Sequence, residues 1–255
     1  MDNCINEILE IFYRKTGIIY KSKEEILKKK IVKFYKDLNY CDCSNFLDDL
    51  KFSTKLFQHF INFMTVSESY FFRETKHFEY LIKLLKSSKK RRFKILSLPC
   101  SSGEEPYTIL IYLLENGIKD FDIVGADINT NVLEIAKTAI YPLRRLSYIS
   151  KDILDKYFEK VKNYYLFKDE YKKNILFKHT NLFDKTIFSI GKFDFIFSRN
   201  LFIYFDDLQK KRALEIFYKL LNIDGYLFLG HADIVRKIKG FKKIKELDSQ
   251  ILKKN

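Results

Sequence analysis

From about residue 91 onwards, the chain alternates short apolar runs with amphipathic stretches, and this alternation constrains the fold more than any other feature. Near-continuous apolar runs predict strands at 91–98, 121–126, 193–198 and 225–230. Between them, residues with helical periodicity predict helices over about 104–115, 129–138 and 206–221. Strands that are apolar on both faces and alternate with helices form a parallel sheet covered on both sides. We therefore predict an α/β fold, with its functional groups beyond the carboxyl ends of the strands.

The amino-terminal quarter has a different hydrophobic pattern, because apolar residues recur there at three- and four-residue steps. Ile5, Ile8 and Phe12 share one face, and helical patterns continue to about residue 64. We predict an all-α domain over 1–64, a linker over 65–92 and the sheet domain over 93–255. Within the sheet domain, residues 147–174 break the alternation and predict a small inserted subdomain. It comprises a helical piece at 151–157 and a strand or tight hairpin at 161–167.

A basic amphipathic helix is predicted over about 23–38. Lys29, Lys33 and Lys36 fall on one face of it, and Lys30 lies close by. The whole chain carries 47 Lys and Arg against 33 Asp and Glu, a formal charge of +14. Lysines spread along the chain as solvated surface account for such a charge, and so does an anionic partner such as nucleic acid or an acidic protein. Charge alone leaves both explanations open.

Several classes of protein are excluded by the composition. Hydrophobic residues make up 47% of the chain and aromatic residues 16%, which argues against intrinsic disorder. No stretch is long and apolar enough for a membrane span, and the amino terminus lacks a leader pattern, so we expect a cytoplasmic protein without membrane insertion. The four cysteines include no C-x-x-C pair and lie far from the histidines, so we expect reduced thiols and no metal site.

The loop after the first predicted strand is a candidate ligand site. Gly103 is its only glycine, and the absence of a G-x-G-x-x-G pattern disfavours a dehydrogenase or a phosphate-binding loop. Asp127, at the end of the second strand, has the position and chemistry to accept hydrogen bonds from both hydroxyls of a ribose. A carboxylate there can equally cap the following helix, so the two interpretations of Asp127 stand side by side.

Five motifs taken together are more specific than any single one. They are SESYFFRE at 67–74, LPCSSGEEPYT at 98–108, GADIN at 125–129, SRNLFIYF at 198–205 and LGHA at 229–232. In this order and spacing the chain closely resembles the CheR family of S-adenosylmethionine-dependent chemoreceptor glutamate O-methyltransferases. The resemblance covers nearly the whole chain. It implies a Rossmann-like class I methyltransferase domain with an inserted β-subdomain, preceded by an all-α receptor-recognition domain.

The resemblance also implies an activity and a set of cofactor contacts. The activity is methyl transfer to receptor glutamates, with S-adenosylhomocysteine as the other product, for adaptation in chemotaxis. The implied cofactor-binding residues are Ser67, Ser69, Arg73, Gly103, Glu105, Asp127, Asn181, Leu182, Arg199 and Asn200. Ser67 stands where the family often has asparagine. Asn181 and Leu182 follow a predicted strand at 175–179 and are expected to flank the adenine.

Arg73 and Tyr204 are the candidate catalytic residues. A glutamate carboxylate is already ionised near pH 7, so its methylation needs no general base, and the enzyme mainly aligns the two reactants. The guanidinium of Arg73 can pair with a carboxylate, either that of the substrate or that of the cofactor's methionine part. Tyr204 offers a hydroxyl and a ring face.

The resemblance gives the basic helix a partner, because this family's helical domain approaches the acidic methylation region of a receptor. Lys29, Lys30, Lys33 and Lys36 are therefore expected to face receptor glutamates. Relatives that grip a receptor's carboxyl-terminal peptide carry a glycine-containing loop in the inserted subdomain. Residues 160–173 contain no glycine, so we expect no such tether. We expect a monomer that does not bind nucleic acid.

Two alternatives remain. A nucleic-acid methyltransferase suits the net charge, but the position for an N-P-P-Y or D-P-P-Y tetrapeptide reads Arg199-Asn200-Leu201-Phe202. Pro99-Cys100 resembles the nucleophile of a cytosine-C5 enzyme but lies in the cofactor loop. The second alternative is a non-catalytic module that keeps the pocket and docks to receptors. The presence of both Arg73 and Tyr204 argues against it.

Overall fold

The computed structural model describes residues 2–20, 24–235, 240–244 and 250–255. Its first four helices are α1 (Asp2–Thr16), α2 (Glu24–Asp37), α3 (Cys43–Phe52) and α4 (Thr54–Met64). The helical pattern expected up to residue 64 is confirmed. Lys23, where the second helix was expected to begin, lies outside the described residues.

An aromatic cluster centred on Phe34 joins α2, α3 and α4. The ring of Phe34 on α2 lies 5.8 Å from that of Phe46 on α3. It also lies 5.3 Å from the ring of Phe60 and 4.7 Å from the ring of Phe63, both on α4. Phe34, Phe46 and Phe60 are at most 3% exposed. The apolar faces of the helices thus meet in one core, as their periodicity predicts.

The expectation of four reduced thiols is wrong for two of them. Cys4 on α1 and Cys43 on α3 form a disulfide, with their Cα atoms 6.2 Å apart. The packing of α1 against α3 brings together residues that are 39 positions apart, and no local pattern signals that pairing. Cys41, which is exposed, and Cys100, which is buried, are free thiols.

The rest of the chain contains five further α-helices and ten strands among its described residues. The helices are α5 (Lys76–Ser87), α6 (Glu104–Glu115), α7 (Thr130–Thr138), α8 (Lys151–Tyr157) and α9 (Asp207–Leu220). The strands are β1 (Phe93–Ser97), β2 (Phe121–Asp127), β3 (Ile140–Pro142), β4 (Phe158–Val161), β5 (Tyr164–Phe167), β6 (Ile175–His179), β7 (Phe193–Ser198), β8 (Leu221–Leu229), β9 (Phe241–Lys243) and β10 (Gln250–Lys254).

Seven strands form the main sheet, in the order β6-β2-β1-β7-β8-β10-β9. The first five are parallel, whereas β10 runs antiparallel to both β8 and β9. From β1 the chain builds outwards through β2 to β6, and then returns to the other side of β1 with β7. Open sheets of this kind form a crevice where the order reverses, beyond the carboxyl ends of the strands. The predicted α/β fold is confirmed.

Burial on both faces explains why the strands are so apolar. Every residue of β7 is buried, and the ring of Phe197 stacks at 4.3 Å on that of Phe228 in β8. Phe78 on α5 stacks at 5.6 Å on the other side of Phe197. The helix in the predicted linker therefore packs directly on the sheet. The proposed division at 64 and 92 stays a prediction.

The inserted subdomain is a small antiparallel sheet of order β3-β5-β4. Val161 pairs with Tyr164 at the end of the β4–β5 hairpin, so of the two alternatives for 161–167 the chain forms the hairpin. Its third strand, β3, precedes the predicted insertion and pairs with β5 through Tyr141 and Tyr165. Among the described residues, no helix has the length and apolar character that crossing a bilayer requires.

Asn129 joins the amino-terminal helices to the sheet. Its side-chain oxygen caps α7 by accepting hydrogen bonds from the backbone N–H groups of Asn131 and Val132, at 2.9 and 3.3 Å. Its amide donates to the Thr65 hydroxyl at 2.8 Å and to the Asn62 carbonyl at 3.2 Å. One buried side chain thus completes a helix end and holds α4 against the carboxyl edge of β2.

We expect Asn129→Ala to lower the free energy of unfolding by about 2 to 3 kcal/mol. Loss of the cap accounts for about 1 kcal/mol, and loss of two partly buried hydrogen bonds accounts for the remainder. Asp42→Ala is the matched control, because Asp42 caps α3 and, among the described residues, its side chain bonds Asn45 of that same helix. We expect a loss of about 1 kcal/mol for the control, measured by urea denaturation. Equal losses in the two variants would contradict the joining role of Asn129.

Candidate functional site

A cavity of about 290 Å³ lies at the carboxyl edge of the sheet, where the strand order reverses. It is lined by residues from the segments 18–20, 65–73, 99–101, 105–108, 127–128 and 199–204, together with Phe78. Small-molecule sites in proteins span about 300 to 1,000 Å³, so this cavity is at the lower end of that range. The helical domain, the connecting segment and the sheet all contribute to its walls.

Most of the residues predicted for the site meet in this cavity. Those that line it are Ser67, Ser69, Arg73, Glu105, Asp127, Arg199, Asn200 and Tyr204. Gly103, Asn181, Leu182 and the four lysines of α2 are not among its lining residues. The motifs at 67–74, 98–108, 125–129 and 198–205 therefore converge in space, although they are separated by as many as 138 positions in the chain.

Asp127 is held rigidly in the wall of the cavity. Its carboxylate accepts hydrogen bonds from the backbone N–H of Ser101 at 2.8 Å and from that of Asn129 at 2.9 Å. The cap of α7 is Asn129, so Asp127 is not needed as the helix cap. Burial raises the pKa of Asp127 to about 6, and the backbone hydrogen bonds oppose that rise. A carboxylate so placed is a fixed acceptor for hydroxyl groups.

Gly103 shapes the loop rather than lining the cavity. It precedes α6 with φ of 92°, a conformation that favours glycine. A methyl group at this position would lie 3.0 Å from both Ala136 Cβ and the Tyr141 hydroxyl oxygen. Gly103 is therefore required by the turn and by the close approach of α7. Its predicted contact with the cofactor stays a prediction.

A buried ion pair forms the floor of the cavity. Arg199 Nη1 lies 3.0 Å from Glu105 Oε2, and the Ser97 hydroxyl donates to Glu105 Oε1 at 2.7 Å. Burial raises the pKa of Glu105, whereas the charge of Arg199 opposes that rise. The second amino group of Arg199 donates to the carbonyl of Arg73. Arg199 thus connects the end of β7, the first turn of α6 and the connecting segment.

Arg73 and Tyr204 present accessible polar groups to the cavity. The Arg73 side chain is 30% exposed, with its Nε 4.0 Å from Glu74 and its guanidinium 5.5 Å from the centre of the Tyr70 ring. Tyr204 is half-buried, and burial raises the pKa of its hydroxyl, which keeps it neutral. In the part of the chain that the structure describes, the Tyr204 hydroxyl has no hydrogen-bond partner.

The turn that carries Asn200 depends on a residue that the sequence did not indicate. Asp233 is fully buried and accepts hydrogen bonds from the backbone N–H groups of Asn200, Phe202 and Gly230, at 2.5, 2.9 and 2.8 Å. Asn200 itself has a positive φ of 59°. Asp233 lies close to the LGHA motif, and this proximity is the only signal that could have singled it out.

Asn181 and Leu182 have structural contacts away from the cavity lining. The Asn181 amide donates to the carbonyl of Lys15 at 2.6 Å, and its side-chain oxygen accepts from the Phe183 N–H at 2.9 Å. Leu182 is 6% exposed and belongs to the core beneath the sheet. The predicted contact of these two residues with adenine stays a prediction. The hydrogen bond from Asn181 to Lys15 holds the end of α1 next to the segment that follows β6.

The four lysines of α2 differ in their surroundings. Lys29, Lys33 and Lys36 are exposed, and Lys33 pairs with Asp37 at 2.6 Å. Lys30 is half-buried: its ammonium donates to the Met64 carbonyl at 3.2 Å and lies 5.0 Å from the centre of the Phe63 ring. Burial lowers the pKa of Lys30. The exposed basic face therefore consists of three of the four predicted residues.

The thiol of Cys100 lines the cavity but is unsuited to nucleophilic chemistry. Cys100 is 1% exposed, and burial, together with the nearby carboxylates of Asp127, Glu105 and Glu104, raises its pKa well above the ordinary value. Since the thiolate is the reactive form of cysteine, these surroundings make Cys100 unreactive. This argues against the cytosine-C5 mechanism that Pro99-Cys100 suggested.

The cavity also contains tyrosines and apolar side chains that the sequence did not single out. Tyr20 and Ile18 reach it from the segment after α1, and Ile128 and Leu201 line it from the sheet domain. The Tyr20 hydroxyl donates to the Met64 carbonyl at 2.6 Å, and its ring lies 6.2 Å from that of Tyr204. A fixed carboxylate, an accessible guanidinium and apolar walls together suit a nucleoside that carries an amino-acid group.

Comparison with known proteins identifies relatives over nearly the whole chain. Residues 67–251 match the family model described as CheR methyltransferase, SAM binding domain. The chain is 38% identical over 241 residues to the chemotaxis protein methyltransferase of Campylobacter jejuni, covering 94% of this chain and 92% of that protein. It is 34% identical over 250 residues to chemotaxis protein methyltransferase 2 of Vibrio cholerae, covering 92% and 87%. The Escherichia coli chemotaxis protein methyltransferase is 31% identical over 245 residues, covering 91% and 84%.

We expect binding of S-adenosylhomocysteine to weaken as the pH falls through about 6, the value to which burial raises the pKa of Asp127. Ribose hydroxyls donate best to the ionised carboxylate. Protonation below that pKa therefore raises the dissociation constant, by at most about tenfold per pH unit. Calorimetric titrations between pH 5 and 7.5 measure the slope. Asp127→Asn should bind more weakly at pH 7.5 and lose the slope. If the pH dependence of binding is unchanged in this variant, a group other than Asp127 is responsible for it.

Proposed function

The chain belongs to the CheR methyltransferase family, and we propose that it methylates the γ-carboxylates of glutamates in the cytoplasmic methylation region of chemoreceptors. The products are glutamate methyl esters and S-adenosylhomocysteine. The observation that carries the proposal is the convergence of Arg73, Glu105, Asp127 and Tyr204 on one cavity at the carboxyl edge of the sheet. S-adenosylmethionine is the cofactor of the SAM binding domain matched over residues 67–251.

The chemistry explains why few catalytic groups are needed. S-adenosylmethionine, when bound, supplies a methyl group attached to a positively charged sulfur. The glutamate carboxylate is the nucleophile and is ionised at neutral pH. An oxygen–carbon bond forms, the carbon–sulfur bond breaks with its electron pair left on sulfur, and no proton is transferred. The protein therefore has to position the acceptor and exclude water, which is the main role of a site that works by alignment.

We assign the cofactor-holding roles to residues whose own geometry fits them. Asp127, fixed by two backbone N–H groups, accepts the ribose hydroxyls. Glu105, held by Arg199 and Ser97, offers an acceptor on the cavity floor. Ser67 and Ser69 lie in the wall formed by the connecting segment, and we propose that they contact the same ligand.

Arg73 and Tyr204 are proposed to align the acceptor carboxylate. The 30% exposure of the Arg73 side chain leaves its guanidinium accessible to an incoming glutamate, with which it can form two parallel hydrogen bonds. The Tyr204 hydroxyl, neutral and without a partner among the described residues, is available as a donor. Both groups bind the acceptor carboxylate before methyl transfer and exclude water from the position that the carboxylate occupies.

The basic face formed by Lys29, Lys33 and Lys36 is proposed to approach the acidic methylation region of the receptor. Their exposure supports this, because long-range attraction between opposite charges steers association. We further propose that the chain acts as a monomer at the cytoplasmic side of the receptor, without nucleic acid. We propose that it does so without a carboxyl-terminal peptide tether, because residues 160–173, which include the β4–β5 turn at Lys162 and Asn163, contain no glycine.

The decisive test of the proposed function is the chemical nature of the methylated product. The full chain is incubated with methyl-labelled S-adenosylmethionine and receptor-containing membranes, and the label is then treated with mild base. We expect its release as methanol, because carboxyl methyl esters are base-labile. Base-stable label would indicate methylated amines or nucleobases and would contradict the proposal.

Arg73→Ala should lower kcat/KM by about 10- to 100-fold, as expected for loss of a hydrogen bond to a charged group. Arg91→Ala, an exposed arginine before β1, is the control.

A charge-reversal experiment tests the basic face. We expect Lys29→Glu, Lys33→Glu and Lys36→Glu together to raise the KM for receptor at low salt and to reduce the salt dependence of methylation. The calorimetric affinity for S-adenosylhomocysteine should not change. The control makes the same change in net charge at Lys89, Lys185 and Lys211, which are exposed on other parts of the surface. If both triple variants lose receptor affinity equally, net charge rather than the α2 face is responsible.

A further inference from the structure

A second, more open depression adjoins the cavity described above. This groove has a volume of about 470 Å³ and shares one wall with the cavity, formed by Glu68, Ser69, Tyr70 and Arg73. Arg73 therefore lies on the boundary between the two, with access to both. A macromolecule that places one side chain at Arg73 must have its neighbouring residues in or beside the groove.

The opposite wall of the groove comes from the segment that follows β3. Leu143–Arg145 forms a short 3-10 helix, and Tyr148 follows it with 67% of its surface exposed. The ring of Tyr148 lies 5.0 Å from that of Tyr70, so an aromatic pair spans the two walls. Tyrosine rings offer rigid apolar surface at small entropic cost, which is typical of protein-recognition sites.

The two arginines of the groove differ in whether they are paired within the protein. Arg145 is committed within the protein, since its guanidinium donates to the Ser69 carbonyl and pairs at 3.0 Å with the fully buried Glu104. Arg144 is exposed, and within the described ranges 2–20, 24–235, 240–244 and 250–255 it forms no ion pair. Arg144 is thus an exposed cation at the entrance to the site.

We propose that this groove seats the stretch of receptor helix next to the target glutamate, and that Arg144 pairs with a second carboxylate on the same helix face. The inference rests on the proposed function. Residues three or four positions apart lie on one face of a helix, so an acidic helix that presents one glutamate to Arg73 can present another to a neighbouring arginine. The paired tyrosines contact the apolar stem between the two carboxylates.

The composition of the groove favours an acidic helix over nucleic acid. Glu68 lies in the shared wall, where it would repel the continuous charge of a phosphate backbone. A helix carries its carboxylates at separated positions and can place uncharged residues at Glu68. Arg144 is therefore proposed as a specificity-determining residue, which selects acceptor glutamates that have an acidic neighbour.

The test compares Arg144→Glu with Arg91→Glu, which makes the same change in charge at an exposed arginine before the amino end of β1. With a soluble receptor fragment, we expect Arg144→Glu to raise KM by about tenfold, with little change in kcat. The affinity for S-adenosylhomocysteine should stay unchanged, and Arg91→Glu should resemble the wild type. Replacing one acidic residue of the fragment, three or four positions from the target, by lysine should restore methylation by Arg144→Glu.

Several outcomes would overturn the inference. One is that Arg144→Glu and Arg91→Glu have the same KM for the fragment, although the wild type methylates it. Another is inhibition of the wild type by duplex DNA that Arg144→Glu relieves, which would assign the groove to nucleic acid. If Arg144→Glu fails to fold, Arg144→Ala with Tyr148→Ala replaces it, with the same expected rise in KM. If the wild type transfers no base-labile methyl, the proposed function fails. Whether the groove binds the receptor fragment is then tested separately, by fluorescence anisotropy.

Discussion

Arg199 lies at the end of β7 with 3% of its side chain exposed, and its guanidinium connects segments that are far apart in the chain. It pairs with Glu105 at the start of α6, donates to the carbonyl of Arg73 and lies 3.6 Å from Glu74. Removing one partner of a buried ion pair costs about 3 to 5 kcal/mol, because the other charge is left unpaired. The positions of the cavity floor and of the proposed catalytic arginine therefore depend on this one side chain.

The neighbouring His77 does not compete with Arg199 for these carboxylates. His77 on α5 lies nearby, and burial, assisted by the charge of Arg199, lowers the pKa of His77 to about 3. The imidazole is therefore neutral at physiological pH and does not compete as a cation for Glu74 or Glu105. Around this centre, Asp233 holds the turn at Asn200, and Asn129 holds α4 against the sheet. Buried polar side chains with hydrogen-bonded partners therefore anchor the cavity floor, the turn at Asn200 and the contact between α4 and the sheet.

The distribution of charge matters more for function than the net value of +14. Some lysines and arginines are occupied within the protein, as Lys30 is by the Met64 carbonyl and Arg145 by Glu104. Others lie where a partner can reach them, on the exposed face of α2 and at Arg144 beside the cavity. An acidic protein helix fits both places, because its charges are spaced and its stem can pack on tyrosine rings.

Local pattern indicated many of the strands and helices, whereas α5, β3, β9 and β10 were not predicted from it. Near-continuous apolar runs indicated β1, β2, β7 and β8, and the periodicity of residues 5–64 indicated the four amino-terminal helices. The motifs indicated most of the cavity lining, because parallel strands end at the same edge of a sheet. Only the tertiary structure decided that Cys4 bonds Cys43, that Lys30 faces inwards, that Asn181 and Leu182 lie outside the cavity lining, and that Asp233 supports Asn200. These contacts join residues between 33 and 166 positions apart, where periodicity carries no information, and the packing of whole elements decides which side chains meet.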